Sequence, residues 1–316
     1  MKAGTDIKRV AVVATGVIGA SWTSCFLANG LDVTATDPAP GAEDALRVAV
    51  AAHWPAMERI GLAESSSPDR LRFVASPEEA VEDADFVQES GPERLDLKRA
   101  LFAQLDAAAA PDVILASSSS TLLMSEVQDS CANPGRVLLG HPFNPPHLIP
   151  LVEVVGGAAT SEAAIARAMA FYTAIGKHPI RLHREVRGHV ANRLQAALWQ
   201  EAFHLVATGV ASVADIDAAI AHGPGLRWAL LGPFLNLHLS GGAGGIGALF
   251  DKPLWRATEA MWGELGDVAV DPALAARVAA GVVDELAAID PAAMLQQRDA
   301  ALIALLRLKA ESASLP

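Results

Sequence analysis

A chain of 316 residues is long enough for two domains. Hydrophobic residues make up 52% of it, which supports a large core and excludes extensive disorder. The formal net charge of -12, with no basic stripe, excludes an ordinary nucleic-acid binder. The two cysteines, Cys25 and Cys131, stand in no metal-ligand spacing and read as small core thiols, so no metal is expected. The opening "MKAGTDIKRV" lacks the apolar stretch of a leader, and no run of about 18 apolar residues appears. The expectation is a cytoplasmic protein with no membrane span.

In chain order, "VAVVA" predicts a buried strand, and "GVIGASWTSCFLANG" predicts a helix ending near Gly30. Between them lies the turn "ATGVIG", close to the dinucleotide pattern G-x-G-x-x-G but with Ala14 at the first glycine. Gly16 stands where the backbone must approach a pyrophosphate, and Gly19 where helix and strand must pack closely. The expected cofactor contacts are Ala14, Gly16, Val17, Ile18 and Gly19, at the start of a helix whose amides suit a phosphate. Alanine at position 14 is nearly free of strain if its φ is negative and costs about 1–2 kcal/mol if φ is positive. "DVTATD" predicts a second strand ending at Asp37, an acid placed to bind a ribose 2'-hydroxyl and repel a 2'-phosphate. The following "PAPGAED" has no cation to accept that phosphate, so NAD is expected over NADP.

A long helix and the loop "ESSSPD" come next. "LRFV", "DFVQES", "VILASSSS" and "RVLLG" predict further strands, with helices over "SPEEAVEDA" and "LDLKRALFAQLDAAA". This alternation predicts an α/β fold, a doubly wound parallel sheet. "LIPLVEVVGG" and "HPIRLH" are the last strand candidates. Beyond about residue 187 the pattern is helical: "ANRLQAALWQEAFHLVATG", then "SVADIDAAIAHG" capped by a serine, a glycine-rich loop at 240–247, and the tail "DPAAMLQQRDAALIALLRLKAE". The expected division is a Rossmann-type domain over 1–187 and a smaller all-α domain over 188–316.

The stretch "LLGHPFNPPHLIPLVEVV" raises a chemical question. A carboxylate inside an apolar strand is costly unless paired, and His141 is available to Glu153. Such a pair suits a general base and its orienting group, although a purely structural pair, or an edge strand with Glu153 in water, would read the same. A histidine base suits alcohol oxidation, where a nicotinamide takes the hydride and the base takes the proton.

The segments "SSSSTLL", "GHPFNPP", "PLVEVV" and "GHVANRLQ" resemble the 3-hydroxyacyl-CoA dehydrogenase superfamily over nearly the whole chain. "QESGPERLDLKRALFAQLD", "EVRGHVANRLQ" and "GPGLRWALLGPFLNLHL" are more similar to its branch containing lambda-crystallin (an L-gulonate 3-dehydrogenase) and carnitine dehydrogenase. The resemblance implies His141 as catalytic base, Glu153 as its orienter, and Ser120 and Asn192 at the substrate oxygen. It also implies Glu93 and Lys98 along the cofactor site, a helical second domain and a homodimer. That family usually has glycine at position 14. Arg227 in "GLRW" matches an arginine of the free-acid branch and would hold a substrate carboxylate, with Trp228 and Phe234 near it in sequence as aromatic faces for a cationic substrate; tryptophans at helical positions, with Trp199, Trp255 and Trp262 also in this part, are more often core than cage. The expected reaction is NAD-dependent oxidation of a free L-3-hydroxy acid resembling L-gulonate, 3-hydroxybutyrate or carnitine. The alternative is a CoA thioester, with Arg227 structural. A non-enzymatic NAD-binding protein would require a damaged catalytic set, and all four residues are present.

Overall fold

A computed structural model describes residues 6–315. Residues 1–5, where the reading for a leader begins, lie outside the described residues. No helix among the described residues is long and apolar enough to cross a membrane. The chain forms two compact units, 1–193 and 194–316.

The first unit carries one eight-stranded sheet: β1 (Arg9–Val13), β2 (Asp32–Thr36), β3 (Leu71–Phe73), β4 (Phe86–Glu89), β5 (Ile114–Ser117), β6 (Val137–Pro142), β7 (Leu151–Gly156) and β8 (His178–Arg181). Their spatial order is β3-β2-β1-β4-β5-β6-β7-β8. The order reverses between β1 and β4, and the carboxyl ends of those strands open a ligand crevice. Helices α1 (Val17–Ala28), α2 (Ala42–Ile60), α3 (Pro77–Val81), α4 (Leu95–Ala108), α5 (Met124–Gln128) and α6 (Glu162–Ala174) connect the strands. Along β1, Val10 and Val12 enter one core with Trp22, Phe26 and Phe171, while Ala11 and Val13 enter the other with Phe102 and Leu105. Burial on both faces explains why these strands read as continuous apolar runs.

Two features depart from the sequence reading. The sheet is not wholly parallel, because β7 pairs antiparallel to β6 and β8 then runs parallel to β7. Residues 143–150 join β6 to β7, too short a link for a crossover helix, so the chain must turn back. Helix α6, capped by Ser161, was not foreseen; its alanines carry little periodic signal.

The second unit is helical. The division falls in the first turn of α7 (Ala191–Ala207). There follow α8 (Val213–Ala221), α9 (Pro224–Trp228), α10 (Pro233–Ser240), α11 (Gly245–Phe250), α12 (Pro253–Met261), α13 (Pro272–Leu286) and α14 (Pro291–Glu311). Ser212 and Asp215 cap α8 reciprocally, as the sequence suggests. The glycine-rich segment is not an open loop: a 3-10 turn over Gly242–Gly244 leads directly into α11.

Candidate active site

The strand-turn-helix at the start of the chain is built for a dinucleotide. Ala14 has φ +68, so the costlier of the two expected conformations holds. Two successive amides brace it: Ala14 N–H donates to the Thr36 carbonyl at 2.9 Å, and Thr15 N–H to Asp37 Oδ2 at 2.8 Å. A Cβ on Gly19 would lie 2.0 Å from the Ala14 carbonyl oxygen, so glycine is obligatory where α1 meets the turn. A Cβ on Gly16 would meet nothing within 4 Å, which leaves its backbone open to a ligand. Among the described residues no side chain caps α1 and no acid occupies its first turn, which leaves its leading amides open to a ligand. Val17, 75% exposed, and the half-buried Ile18 begin that helix. Together these features fit a pyrophosphate. Asp37 directly follows β2; its Oδ2 also accepts from Thr15 Oγ1 at 3.4 Å, whereas Oδ1 accepts from Ala39 N–H at 2.9 Å and keeps a lone pair for a ribose hydroxyl.

Across the crevice, Glu93 gathers the loop after β5. Its Oε1 accepts from Ser119 Oγ at 2.6 Å, from Thr121 N at 2.7 Å and from Thr121 Oγ1 at 2.9 Å. Burial pushes this carboxyl up, but the hydrogen bonds from Ser119 and Thr121 outweigh it and hold the group below the usual carboxylate range. Lys98 is held internally. It is 2% exposed, and its ammonium bonds both oxygens of Glu89, at 2.7 and 2.8 Å, and the Gly91 carbonyl at 3.2 Å. All three of its donors are thereby used, and none remains for a cofactor. Glu89 also takes Ser117 Oγ at 2.7 Å and Gly91 N–H at 2.5 Å. Lys98 therefore braces the turn after β4, at the edge of the crevice.

The acid-base pair is assembled by register. His141 on β6 stands directly opposite Glu153 on β7. His141 Nδ1–H donates to Glu153 Oε2 at 3.0 Å, and both residues are buried. In the neutral ring Nε2 then carries the lone pair, and Ser120 Oγ, 3.2 Å away, donates to it. Glu153 Oε1 accepts from Val190 N at 2.9 Å and Ala191 N at 3.0 Å. Desolvation raises the Glu153 carboxyl, yet His141 and those two amides bring it below its ordinary value. Gly140 must be glycine, since a Cβ there would fall 2.0 Å from Tyr172 Oη.

Of the remaining expected residues, Asn192 is the second residue of α7, half-buried, and its amide makes no side-chain hydrogen bond among the described residues. Arg227 and Trp228 end α9 in the second unit; Arg227 is exposed, with no ion pair among the described residues, and Trp228 is 45% exposed. Sequence reasoning missed Glu89, Ser117, Ser119 and His189. The signals were present, as a buried-strand glutamate in "FVQES" and a histidine straight after Gly188.

A doubly wound sheet with a dinucleotide turn at its switch point, and an imidazole–carboxylate pair at the same carboxyl edge, defines a nicotinamide-dependent oxidoreductase acting on an alcohol. Residues 9–186 match the 3-hydroxyacyl-CoA dehydrogenase NAD binding domain, and residues 188–267 match the 3-hydroxyacyl-CoA dehydrogenase C-terminal domain. The chain belongs to the 3-hydroxyacyl-CoA dehydrogenase family, and its cofactor is NAD. It is 51% identical to an L-carnitine dehydrogenase of Streptomyces griseus over 96% of this chain and 90% of that one. It is 48% identical to an L-carnitine dehydrogenase of Pseudomonas putida over 98% and 97%. Among solved structures, a 5-formyl-3-hydroxy-2-methylpyridine 4-carboxylic acid 5-dehydrogenase, described as an NAD+-dependent dismutase, superposes with TM-score 0.80 at 26% identity, covering 96% of this chain and 99% of that one. A (S)-3-hydroxybutyryl-CoA dehydrogenase from Ralstonia eutropha gives TM-score 0.63 at 27% identity, over 68% and 77%.

Proposed function

We propose that this enzyme oxidises the 3-hydroxyl of L-carnitine, a free 3-hydroxy acid bearing a trimethylammonium group. The observation that carries the substrate is the near-end-to-end similarity, at about half identity, to L-carnitine dehydrogenases. The observation that carries the chemistry is the His141–Glu153 pair with Ser120 on its free nitrogen.

His141 Nε2 takes the hydroxyl proton as the C3–H bond breaks. NAD+, when bound, accepts the hydride. Glu153 fixes the tautomer and stabilises the imidazolium that forms. Ser120 and Asn192 hold the substrate oxygen as it becomes a carbonyl. Gly16, Val17, Ile18 and Gly19 present α1 to the pyrophosphate, Asp37 takes the ribose, and Glu93 fixes the opposite wall. Arg227 pairs with the substrate carboxylate, and Trp228 with Phe234 offers aromatic faces to the trimethylammonium. In this reading residues 1–187 carry the cofactor and 188–316 carry substrate and dimer contacts. Exposed Phe234, Leu239, Leu254 and Trp262 support a homodimer through the helical part, and the reaction belongs in the cytoplasm.

The test of the substrate class is Arg227→Met. Its expected effect is a KM for L-carnitine raised more than about 10-fold, with kcat changed less, because lost carboxylate binding is felt first in the ground state. Unchanged kinetics would remove Arg227 from the substrate site.

A further inference from the structure

His189 has no part in the reading above, yet it lies against the base. Its ring centre is 5.0 Å from that of His141, with the planes at 50°. It is 1% exposed and holds φ +53, directly after Gly188 at φ +77. A left-handed conformation is strained for a residue with a Cβ and persists only where its surroundings impose it.

The hydrogen bonds assign its tautomer. Nε2 lies 3.1 Å from the Ser119 carbonyl, which can only accept, so Nε2 carries the hydrogen. Nδ1 is buried with no hydrogen-bond partner among the described residues. In the neutral ring it holds a lone pair, whereas a second proton would be an unpaired donor and an unpaired charge. The ionisable groups around it are His141 on β6, Glu153 on β7 and Glu93 in the loop before α4. Burial, aided by His141, prevails over the Ser119 carbonyl and the two carboxylates and keeps the imidazole neutral below the ordinary histidine range.

Residues 189–191 thus hold both partners of His141. The amides of Val190 and Ala191 fix Glu153, and the ring of His189 fixes the carbonyl of Ser119. The next residue, Ser120, donates to His141 Nε2. We propose that His189 is a positioning residue: by tethering Ser119 it keeps Ser120 on His141 Nε2, and so keeps the base aimed. The role rests on His141 being the base of the proposed reaction. A hydrogen bond donated to Nε2 fixes the ring's tautomer and orientation, so losing it changes the surroundings of that nitrogen.

The test is NMR at one fixed pH of ring-labelled histidines in the full chain, read at His141 Nε2, for the wild type, His189→Phe, His189→Gln, Ser120→Ala and the Phe/Ala double variant. In His189→Phe the Nε2 resonance leaves its hydrogen-bonded position, Ser120→Ala moves it the same way by a similar amount, and the double variant goes no further. His189→Gln, which keeps an N–H donor, stays near the wild type. On L-carnitine, His189→Phe lowers kcat about 10-fold while KM stays within about 3-fold. An unmoved His141 in folded His189→Phe, or a shift that adds to that of Ser120→Ala, overturns the proposal. Should His189→Phe not fold, His189→Ala replaces it in the same comparison. The resonance measurement needs no substrate, so absent turnover of L-carnitine would overturn the substrate reading and leave this result intact.

Discussion

Replacing Ala14 with glycine tests the dinucleotide turn from the side of stability. At φ +68 the alanine Cβ crowds its own backbone, at a cost of about 1–2 kcal/mol that glycine does not incur. Glycine gives back about 0.5–1 kcal/mol through the greater freedom of the unfolded chain. The half-buried methyl, which lies beside Gly91, takes with it a fraction of the about 0.8 kcal/mol of a fully buried group. With about half of that methyl term subtracted, the net gain is about 0.1–0.6 kcal/mol. A unit spanning 1–193 responds with about 2–4 °C per kcal/mol, so Ala14→Gly raises Tm by up to about 2 °C. Gly41→Ala supplies the converse: φ is +75 there and an added Cβ meets nothing within 4 Å, so no packing change enters, strain exceeds the entropy difference by about 0.5–1 kcal/mol, and Tm falls by about 1–4 °C. Thermal unfolding of both variants, with NAD+ titrated calorimetrically into Ala14→Gly, reads the effect. Because the amides of α1 proposed to hold the phosphates stay in place, NAD+ affinity holds or improves. A lower Tm for Ala14→Gly alongside a lower Tm for Gly41→Ala would refute the strain argument.

Glu153→Gln keeps an acceptor for the two amides but removes the charge that stabilises the imidazolium; kcat/KM drops by about 100- to 1000-fold with NAD+ binding unchanged, measured by steady-state kinetics and calorimetry. Gly19→Ala drives a methyl to 2.0 Å from the Ala14 carbonyl, so NAD+ affinity falls more than about 10-fold and Tm drops, while a wild-type Kd would show that the turn does not hold the cofactor. The depressed pKa of His189 means that the folded state binds fewer protons than the unfolded chain below about pH 6.5. Its contribution is complete above that pH and is lost as pH falls through the folded value, so wild-type Tm declines from about pH 7 to 5.5 and the decline is shallower in His189→Phe.

Much of the site was legible because it is local or periodic. The glycine turn lies within six residues, Asp37 ends the next strand, and Glu153 is conspicuous as a carboxylate in an apolar run. The antiparallel return of β7 was not read, although the short link after His141 forces it and the resulting register sets His141 opposite Glu153. Other features depend on distant partners. Ser119 and His189 are seventy residues apart, and no spacing rule joins them. Lys98 looks like an ordinary charged helix residue until Glu89 is found beneath it. The sign of φ at Ala14 is set by the meeting of β1, β2 and α1, which residue type alone does not reveal.

The central claim is that the His141 site oxidises a free 3-hydroxy acid. The most direct measurement is the initial rate of NADH formation with L-carnitine, L-gulonate and L-3-hydroxybutyrate, set against 3-hydroxybutyryl-CoA. The account predicts turnover of L-carnitine at the highest kcat/KM and loss of it in His141→Ala. Turnover of the CoA thioester alone, or L-carnitine oxidation that survives His141→Ala, would contradict it.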